Sequence, residues 1–337
     1  MSELTQHADV TTLQKTRKQP WLQHSALLIM LAVLAVFAWL SPLFLTVMNL
    51  GNVLQQTAVA GTLALGLTLV LSSGGVQGIT GGIDLSIAAN LGLCASVLAS
   101  QLNAGQPVGV ALLLTLLTGA GVGLFNALAV VWLGILPLLA TLTSMNIALG
   151  LDMVLTGNAS VSASSTLQTV LIDSGPLGVS WLGWAFLLLA LLAIALNRFT
   201  AFGLRLQAVG SHPQAANAAG IRVHRYQGVS YVLCGLSAAL AAVASVSLLS
   251  GSSPGANDNL LMVIAAALLG VVFSRRLIPT LGGTLISALF LSLIANGFQL
   301  INVSSYWISG VEGVLILLVV ALTALLRRQQ TRRVNHE

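Results

Sequence analysis

The sequence has very little charge, since only 6% of its 337 residues are Asp, Glu, Lys or Arg. Soluble domains carry about a quarter of such residues, so this composition excludes a soluble globular protein. The 56% share of hydrophobic residues equally excludes a disordered chain. Cysteine is also scarce. Because Cys94 and Cys234 both lie in apolar runs, a disulfide framework is excluded.

Signals for catalysis are missing as well. The sequence has no His/Cys/Asp group with metal-ligand spacing, no Gly-x-Ser-x-Gly nucleophile elbow and no Walker motif. A formal charge of +5 is compatible with nucleic-acid binding, but in so apolar a chain we interpret it as charge beside a membrane. We therefore expect a membrane protein that is not an enzyme, holds no metal and binds no nucleic acid.

Long apolar runs are abundant instead. A bilayer span takes about 20 apolar residues, which leaves room for roughly ten spans in an all-α polytopic membrane protein. We interpret the first run as a retained span, with a polar tail at 1–24 before it and another at 327–337 after the membrane domain, 25–326. Within one run, Gly119 and Gly123 predict a close helix contact. The predicted spans are 25–42, 51–72, 84–102, 108–133, 137–156, 178–197, 227–250, 258–274, 280–300 and 306–326.

The basic residues orient this map. With ten spans and a cytoplasmic N-terminus, all thirteen Lys and Arg residues fall on the cytoplasmic side, as the positive-inside rule requires. Both termini are then cytoplasmic. Two connections are unusually long, the cytoplasmic segment 198–226 and the outer segment 157–177, and long ordered connections are usually functional.

The cytoplasmic connection contains a predicted helix of about two turns. Pro213 suits a first helical turn, Ser211 or His212 can cap it, and Gly220 suits its end. Because so short a helix is unstable alone in water, it must pack against something. It is either a coupling helix that inserts into a cytosolic partner or a connector that lies on its own bundle. Its small face is formed by Ala215, Ala216 and Ala219.

A glycine-rich segment precedes the third span. Five glycines in the nine residues 74–82 disfavour a regular helix, and Thr80 or Asp84 can cap the helix that follows. The segment is either a broken helix lining a pathway or an ordinary turn.

Polar side chains inside the spans are further candidates. Asp152 and Glu312 lie toward the outer third, where an acid is either functional or a cap with access to water. Asn126, Asn146 and Asn296 lie deeper and either line a pathway for a hydroxyl-rich solute or form interhelical hydrogen bonds.

Several of these motifs together resemble one family. The run Thr80-Gly81-Gly82-Ile83-Asp84-Leu85-Ser86 resembles the Gly-Gly-Ile-Asp-Leu-Ser signature of the ribose/galactose/xylose-type permeases of bacterial ABC importers, which include an autoinducer-2 branch. Gln214-Ala215-Ala216-x3-Gly220 resembles the Glu-Ala-Ala-x3-Gly loop by which importers engage their ATPase. Segments beginning at Thr200, Gly123, Pro137 and Ile264 also match in order, and the resemblance covers roughly 25–326.

The resemblance implies a permease of the bacterial inner membrane that moves a small sugar or sugar-like solute. Its implied partners are an ABC ATP-binding protein, a periplasmic solute-binding protein, and a second permease copy or sister permease. The outer connection would be the contact for the solute-binding protein, and the two permeases would lie together in the membrane lipid. ATP and magnesium would belong to the ATPase, with no cofactor in this chain. The coupling residues implied are Gln214, Ala215, Ala216, Ala219 and Gly220, and the pathway candidates are Asp84, Asn90, Asn126, Asn146 and Asn296.

The chain also departs from the family pattern. Extra glycine-rich residues stand at 74–80, and the run 271–277 replaces a glycine-rich turn. These departures are compatible with a sister permease in a heterodimer, and a pair of identical copies stays the alternative. The alternative function is an ion-coupled secondary transporter in which Asp152 or Glu312 carries the proton.

Overall fold

The computed structural model describes residues 20–74, 82–253, 260–274 and 278–303, with residues 307, 310, 313 and 314. This part of the chain is mostly helical, as predicted, with one antiparallel pair of two-residue strands. A π-helical turn at Leu128–Trp132 extends the helix that ends at Ala127, and a 3-10 turn at Pro176–Gly178 precedes the helix that begins at Trp181. The helices are α1 (Pro20–Leu40), α2 (Val47–Gly74), α3 (Ile87–Asn103), α4 (Val108–Ala127), α5 (Pro137–Thr156), α6 (Thr166–Ile172), α7 (Trp181–Phe199), α8 (Ala201–Ser211), α9 (Pro213–Ala218), α10 (Val223–Leu249), α11 (Leu260–Leu269) and α12 (Leu281–Leu300), and the strands are β1 (Val161–Ser162) and β2 (Gly251–Ser252).

Nine of the ten predicted spans overlap a helix of the structure. Within the described residues, six helices are long and apolar enough to cross a membrane, and three shorter apolar helices accompany them. Only residues 307, 310, 313 and 314 of the tenth predicted span are described. The tail at 327–337, most of the tail at 1–24 and nearly all of the glycine-rich segment lie outside the described residues. The count of ten spans and the sides of the termini therefore stay predictions.

The helix α11 is shorter than its predicted span. It ends at Leu269, and a turn occupies the following residues. The backbones of Gly270 and Gly283 approach each other so closely that a Cβ atom on either one would collide with the other chain segment. The chain leaves the helix where this contact with α12 forms.

The helix α2 is the centre of the molecule. It packs against α3, α7, α10, α11 and α12, and most of its side chains are buried. The predicted close contact of Gly119 and Gly123 is confirmed, because both glycines pack on α10, where Gly235 meets the Gly119 carbonyl. Small residues let these helix axes approach, which provides the van der Waals contact that holds helices together in lipid.

Three polar pairs fasten α2 to its neighbours. Asn49 and Asn296 exchange amide hydrogen bonds of 2.8 and 3.1 Å between α2 and α12. The hydroxyls of Thr68 and Thr284 lie 2.7 Å apart between the same helices. The hydroxyls of Ser73 and Ser230 lie 2.7 Å apart and join α2 to α10. All three pairs are formed by buried polar groups, which in folded proteins are nearly always hydrogen-bonded.

Candidate functional site

A buried polar cluster lies where α3 begins. Asp84 is only 2% exposed and accepts hydrogen bonds from the amide and the hydroxyl of Ser86, at 3.0 and 2.6 Å. The amide Nδ2 of Asn126 on α4 donates to both carboxylate oxygens of Asp84, at 3.2 and 3.3 Å, and to the Ser86 hydroxyl, at 2.8 Å. The predicted pathway candidates Asp84 and Asn126 therefore meet, although they are 42 residues apart in the chain.

Asp84 does not cap the first turn of α3 in the predicted way. Its carboxylate binds the amide of Ser86, which precedes the helix, and Ser86 makes no side-chain cap bond itself. Thr80, the other predicted cap, lies outside the described residues. The Asp84 carboxylate therefore joins the segment before α3 to α4 and does not cap the N-terminus of α3.

Two polar atoms around this level of the bundle have no partner within the described chain. They are Oδ1 of Asn126 and the hydroxyl of Tyr231 on α10, and both residues are almost fully buried. Thr141 at the start of α5 donates to the carbonyls of Ile83 and Pro137, so α5 is fastened here as well. Neutral amide and hydroxyl groups of this kind can bind water or the hydroxyls of a solute.

The remaining pathway candidates lie apart from this cluster. Asn90 is buried one turn further along α3 and donates to the Gly119 carbonyl of α4 at 3.4 Å. Asn146 is exposed on α5, where its amide bonds only to its own helix. Asn296 is paired with Asn49 between α12 and α2.

Sequence reasoning missed three of these polar residues. Tyr231 and Asn49 are not among the predicted site residues, and Ser86 appears there only as part of the Gly-Gly-Ile-Asp-Leu-Ser resemblance. Each is a polar residue within or beside an apolar run, which is the available signal. The pairing partner of such a residue lies on another helix, and one sequence does not supply it.

The predicted short helix in the cytoplasmic connection is confirmed as α9. Pro213 is its first residue, and Gly220 follows it with φ of +79°, a backbone conformation that favours glycine. The Gly220 amide donates to the Asn217 carbonyl at 2.9 Å, and the Ile221 amide donates to the Ala216 carbonyl at 3.0 Å. These two bonds form a Schellman end. The predicted side-chain cap is not formed, because His212 makes no such bond and the Ser211 hydroxyl donates back to the Gln207 carbonyl at 2.8 Å.

The predicted coupling residues divide by exposure. Ala216 is buried, whereas Gln214, Ala215, Ala219 and Gly220 are exposed. Ala215, Ala216 and Ala219 line one apolar cavity of about 290 Å³. The predicted face of small side chains is therefore present on α9. The cavity is lined by Ala208, Ser211, His212, Ala215, Ala216, Ala219 and Ile221.

The helix α8, which was not predicted, precedes α9 and is held on α10. Arg205 of α8 donates to the Tyr226 hydroxyl at 3.2 Å, and the rings of Phe202 and Tyr226 lie 5.7 Å apart. Gly203 packs so tightly on the Asn197 carbonyl that no side chain fits there. The connection 198–226 is thus a folded platform rather than a loose loop.

The outer connection is folded too. Val161 and Ser162 of β1 pair with Ser252 and Gly251 of β2, and Gln168 of α6 donates to the Val246 carbonyl of α10 at 3.2 Å. A cavity of about 510 Å³ opens at this surface. Its lining is rich in hydroxyl groups and is formed by Ala163, Ser164, Ser165, Gln168, Thr169, Ile172, Asp173, Ser174 and Ser250.

Comparisons with known proteins agree with this architecture. Residues 49–320 match the family described as the permease component of branched-chain amino acid transport systems. The chain is 35% identical over 306 residues to the ribose import permease protein RbsC of Escherichia coli strain K12, covering 89% of this chain and 93% of the relative. It is 30% identical over 312 residues to the autoinducer 2 import system permease protein LsrC of Salmonella typhi, covering 91% of this chain and 88% of the relative.

Among solved structures, PsaBC from Streptococcus pneumoniae in complex with Fab is 19% identical, with a TM-score of 0.44. That match covers 80% of this chain and 89% of the other.

The fold and the sequence matches define a multi-pass permease subunit of an importer in the bacterial inner membrane. The chain belongs to the family of permease components of branched-chain amino acid transport systems. The predicted resemblance to the ribose and autoinducer-2 permeases of ABC importers is confirmed.

Proposed function

We propose that this permease moves a small sugar or sugar-like solute inward by alternating access, driven by a separate ATP-binding subunit. The observation that carries the proposal is the platform of α8 and α9. Gln214, Ala215 and Ala219 are exposed on a short helix whose end is fixed at Gly220. A carrier that uses an ion gradient needs no such docking element, whereas ATP binding and hydrolysis must be transmitted through one.

The proposed solute class rests on the chemistry of the buried cluster and on the relatives. Ser86, Asn126 and Tyr231 offer neutral hydroxyl and amide groups, which suit a hydroxyl-rich solute. In the described spans, arginine and lysine occur only near the ends, at Arg198 and Arg225, so the spans offer no cation for an anionic solute. RbsC imports ribose and LsrC imports autoinducer 2, according to their names.

We propose that α5 faces a second permease, either another copy or a sister chain. Thr143 and Asn146 are exposed on this helix and lie one turn apart. Polar side chains are unfavourable in contact with lipid and usually face a protein partner or a water-filled pathway. The helix α7 differs, because its exposed side chains between Trp181 and Leu196 are all apolar and suit lipid.

The outer cavity is the proposed contact for a periplasmic solute-binding protein. Its polar lining and its fixed position, through β1 and Gln168, suit a protein surface that must dock repeatedly in one geometry. Solute released there would enter between the helices.

The first experiment is affinity purification from mild detergent with and without Ala215→Asp. Ala215 is exposed and lines the cavity beside α9, so an acid there should abolish association with the ATP-binding subunit without disturbing the core. Ala201→Asp is the matched control, because Ala201 is exposed at the first position of α8, where an acid is favourable. Equal loss in both variants, or no ATPase with the wild type, would contradict the proposal.

A secondary transporter is the second candidate, favoured by Asp152. This residue is half-buried on α5, and its Oδ1 has no partner within the described chain. Glu312 lies outside the described residues. Uptake into liposomes that contain the purified chain alone, driven by a proton gradient and abolished by Asp152→Asn, would establish this candidate. We expect no uptake without the ATP-binding subunit.

A further inference from the structure

The cytoplasmic connection has charge of one sign only. Between residues 198 and 226 the sequence contains no Asp or Glu. Where the importer motif carries a glutamate, this chain has Gln214. The basic residues of the segment are Arg198, Arg205, His212, Arg222, His224 and Arg225, and all are exposed.

Three of these basic residues lie at the N-terminus of α10, where positive charge is unfavourable. Arg222 precedes α10, and His224 and Arg225 lie in its first turn, which contains no acid. The N-terminus of a helix carries positive partial charge and disfavours cations. Local stability therefore does not account for this cluster.

The described chain supplies no counter-charge to these side chains. Its acids are Asp84, Asp152 and Asp173. Asp84 is buried among Ser86 and Asn126, and the other two lie on α5 and after α6, away from the platform.

The charged residues also adjoin the docking helix. The Schellman end of α9 at Gly220 is followed within two residues by Arg222. Arg205 is held on Tyr226, which ties it to the same end of α10. We call Arg205, Arg222, His224 and Arg225 the basic patch.

Arg198 is different and provides a comparison. It lies over the ring of Phe199 at 5.6 Å, at the end of a span whose exposed face is apolar, and Phe199 is 77% exposed. This arrangement suits the headgroup region of a membrane. Arg205, in contrast, is fixed by a hydrogen bond on a folded platform, as recognition of a folded partner requires.

From these observations, and resting on the proposed function, we infer that the basic patch docks on an acidic surface of the ATP-binding subunit. Aspartate and glutamate side chains on that subunit would pair with Arg205, Arg222 and Arg225 beside the apolar contact of α9. The charges would select the correct subunit and steer its approach, while the alanines of α9 supply the buried contact.

The test compares full permease complexes that carry Arg222→Glu with Arg225→Glu against wild type and against Arg198→Glu. We expect the amount of ATP-binding subunit that co-purifies with the double variant to fall by about tenfold or more. The introduced glutamates would then face the acidic side chains of that subunit, and like charges repel. Arg198→Glu should retain the wild-type amount. Wild-type association should weaken as salt rises from about 0.05 to 0.5 M, and the residual association of the double variant should not.

A second pair of variants separates docking from folding. Arg222→Gln with Arg225→Gln removes the charge without reversing it and should give an intermediate loss. Replacing the acidic side chains of the ATP-binding subunit with lysine should restore its association with the glutamate variant. If the glutamate variant were misfolded, this replacement would not restore association.

Normal association and unchanged salt dependence in the glutamate variant would overturn the inference. The inference also fails if that variant loses only its binding to vesicles of phosphatidylglycerol, since lipid would then be the partner. Loss of the ATPase in Ala215→Asp together with no loss in the glutamate variant would leave the proposed function standing while this inference fails.

Discussion

The two long connections of this permease differ in how they are built. The cytoplasmic one is a helical platform of α8 and α9 with exposed arginines and no acid. The outer one combines a strand pair, the short helix α6 and a cavity lined with hydroxyl groups, and it carries no basic residue. The difference suggests that the first recognises its partner by charge and the second by polar contact and shape.

Both connections nevertheless depend on the same helix. Tyr226 at one end of α10 holds Arg205, and Val246 near the other end accepts from Gln168. Substitutions in the packing of α10 should therefore affect both connections, whereas substitutions at either end should affect one connection alone.

The largest effect is expected from Gly235→Leu. Gly235 of α10 touches the backbone of Gly119 and Gly123, so a side chain there must push α4 and α10 apart. We expect a destabilisation of about 3 kcal/mol or more, with both connections lost together. Thermal unfolding in detergent measures it. Gly121→Ala is the matched control on α4, because a Cβ there meets nothing within 4 Å, and an unchanged melting temperature in both variants would contradict the prediction.

Gly220→Ala should affect the cytoplasmic connection alone. The left-handed backbone at φ of +79° costs about 1–2 kcal/mol for a residue with a side chain, so the end of α9 should loosen. We expect ATPase activity that no longer responds to solute, while the solute-binding protein still binds. Gly282→Ala is the control, since its surroundings are open. Coupled ATPase activity at the wild-type level would show that the fixed end of α9 is dispensable.

Gln168→Leu should affect the outer connection alone. It removes the 3.2 Å bond to the Val246 carbonyl and should cost about 1 kcal/mol. We expect weaker stimulation by the solute-binding protein and unchanged association with the ATP-binding subunit, measured by ATPase assay and co-purification. Thr166→Ala, at an exposed position of α6 outside the cavity lining, should leave both unchanged.

The smallest effect is expected from Asp173→Asn. Asp173 is exposed and accepts from the Ser174 amide at 2.8 Å, a bond that asparagine can keep. Stability should change by less than about 0.5 kcal/mol. Only the salt dependence of binding to the solute-binding protein should shift. A large loss of binding would mean that charge also governs the outer contact.

Helix positions could be predicted from the sequence where proline, glycine or a long apolar run determines the local backbone. Pro213 and Gly220 located α9, and apolar length located nine helices, because these features act locally. The glycines at 119 and 123 predicted a contact, although not its partner Gly235.

The orientation of polar side chains was not predictable. Asn146 and Asn296 lie in similar apolar runs, yet one is exposed and the other is paired with Asn49. Helices that are apolar on every side have no periodic pattern that tells the buried face from the lipid face. The pairing of β1 with β2 joins two-residue segments that are about 90 positions apart, and no local signal marks so short a strand.

The helix α10 has 27 residues and is therefore about 40 Å long. Its first turn contains His224 and Arg225 of the basic patch, and its last residue lies next to the strand pair of the outer connection. Along most of its length it packs on α2 and α4. A rod fixed at both ends transmits displacement without needing a chain of separate contacts. If the ATP-binding subunit tilts the platform, α10 would move the outer cavity at the same time. The loading and the release of solute would then be coupled through this one helix.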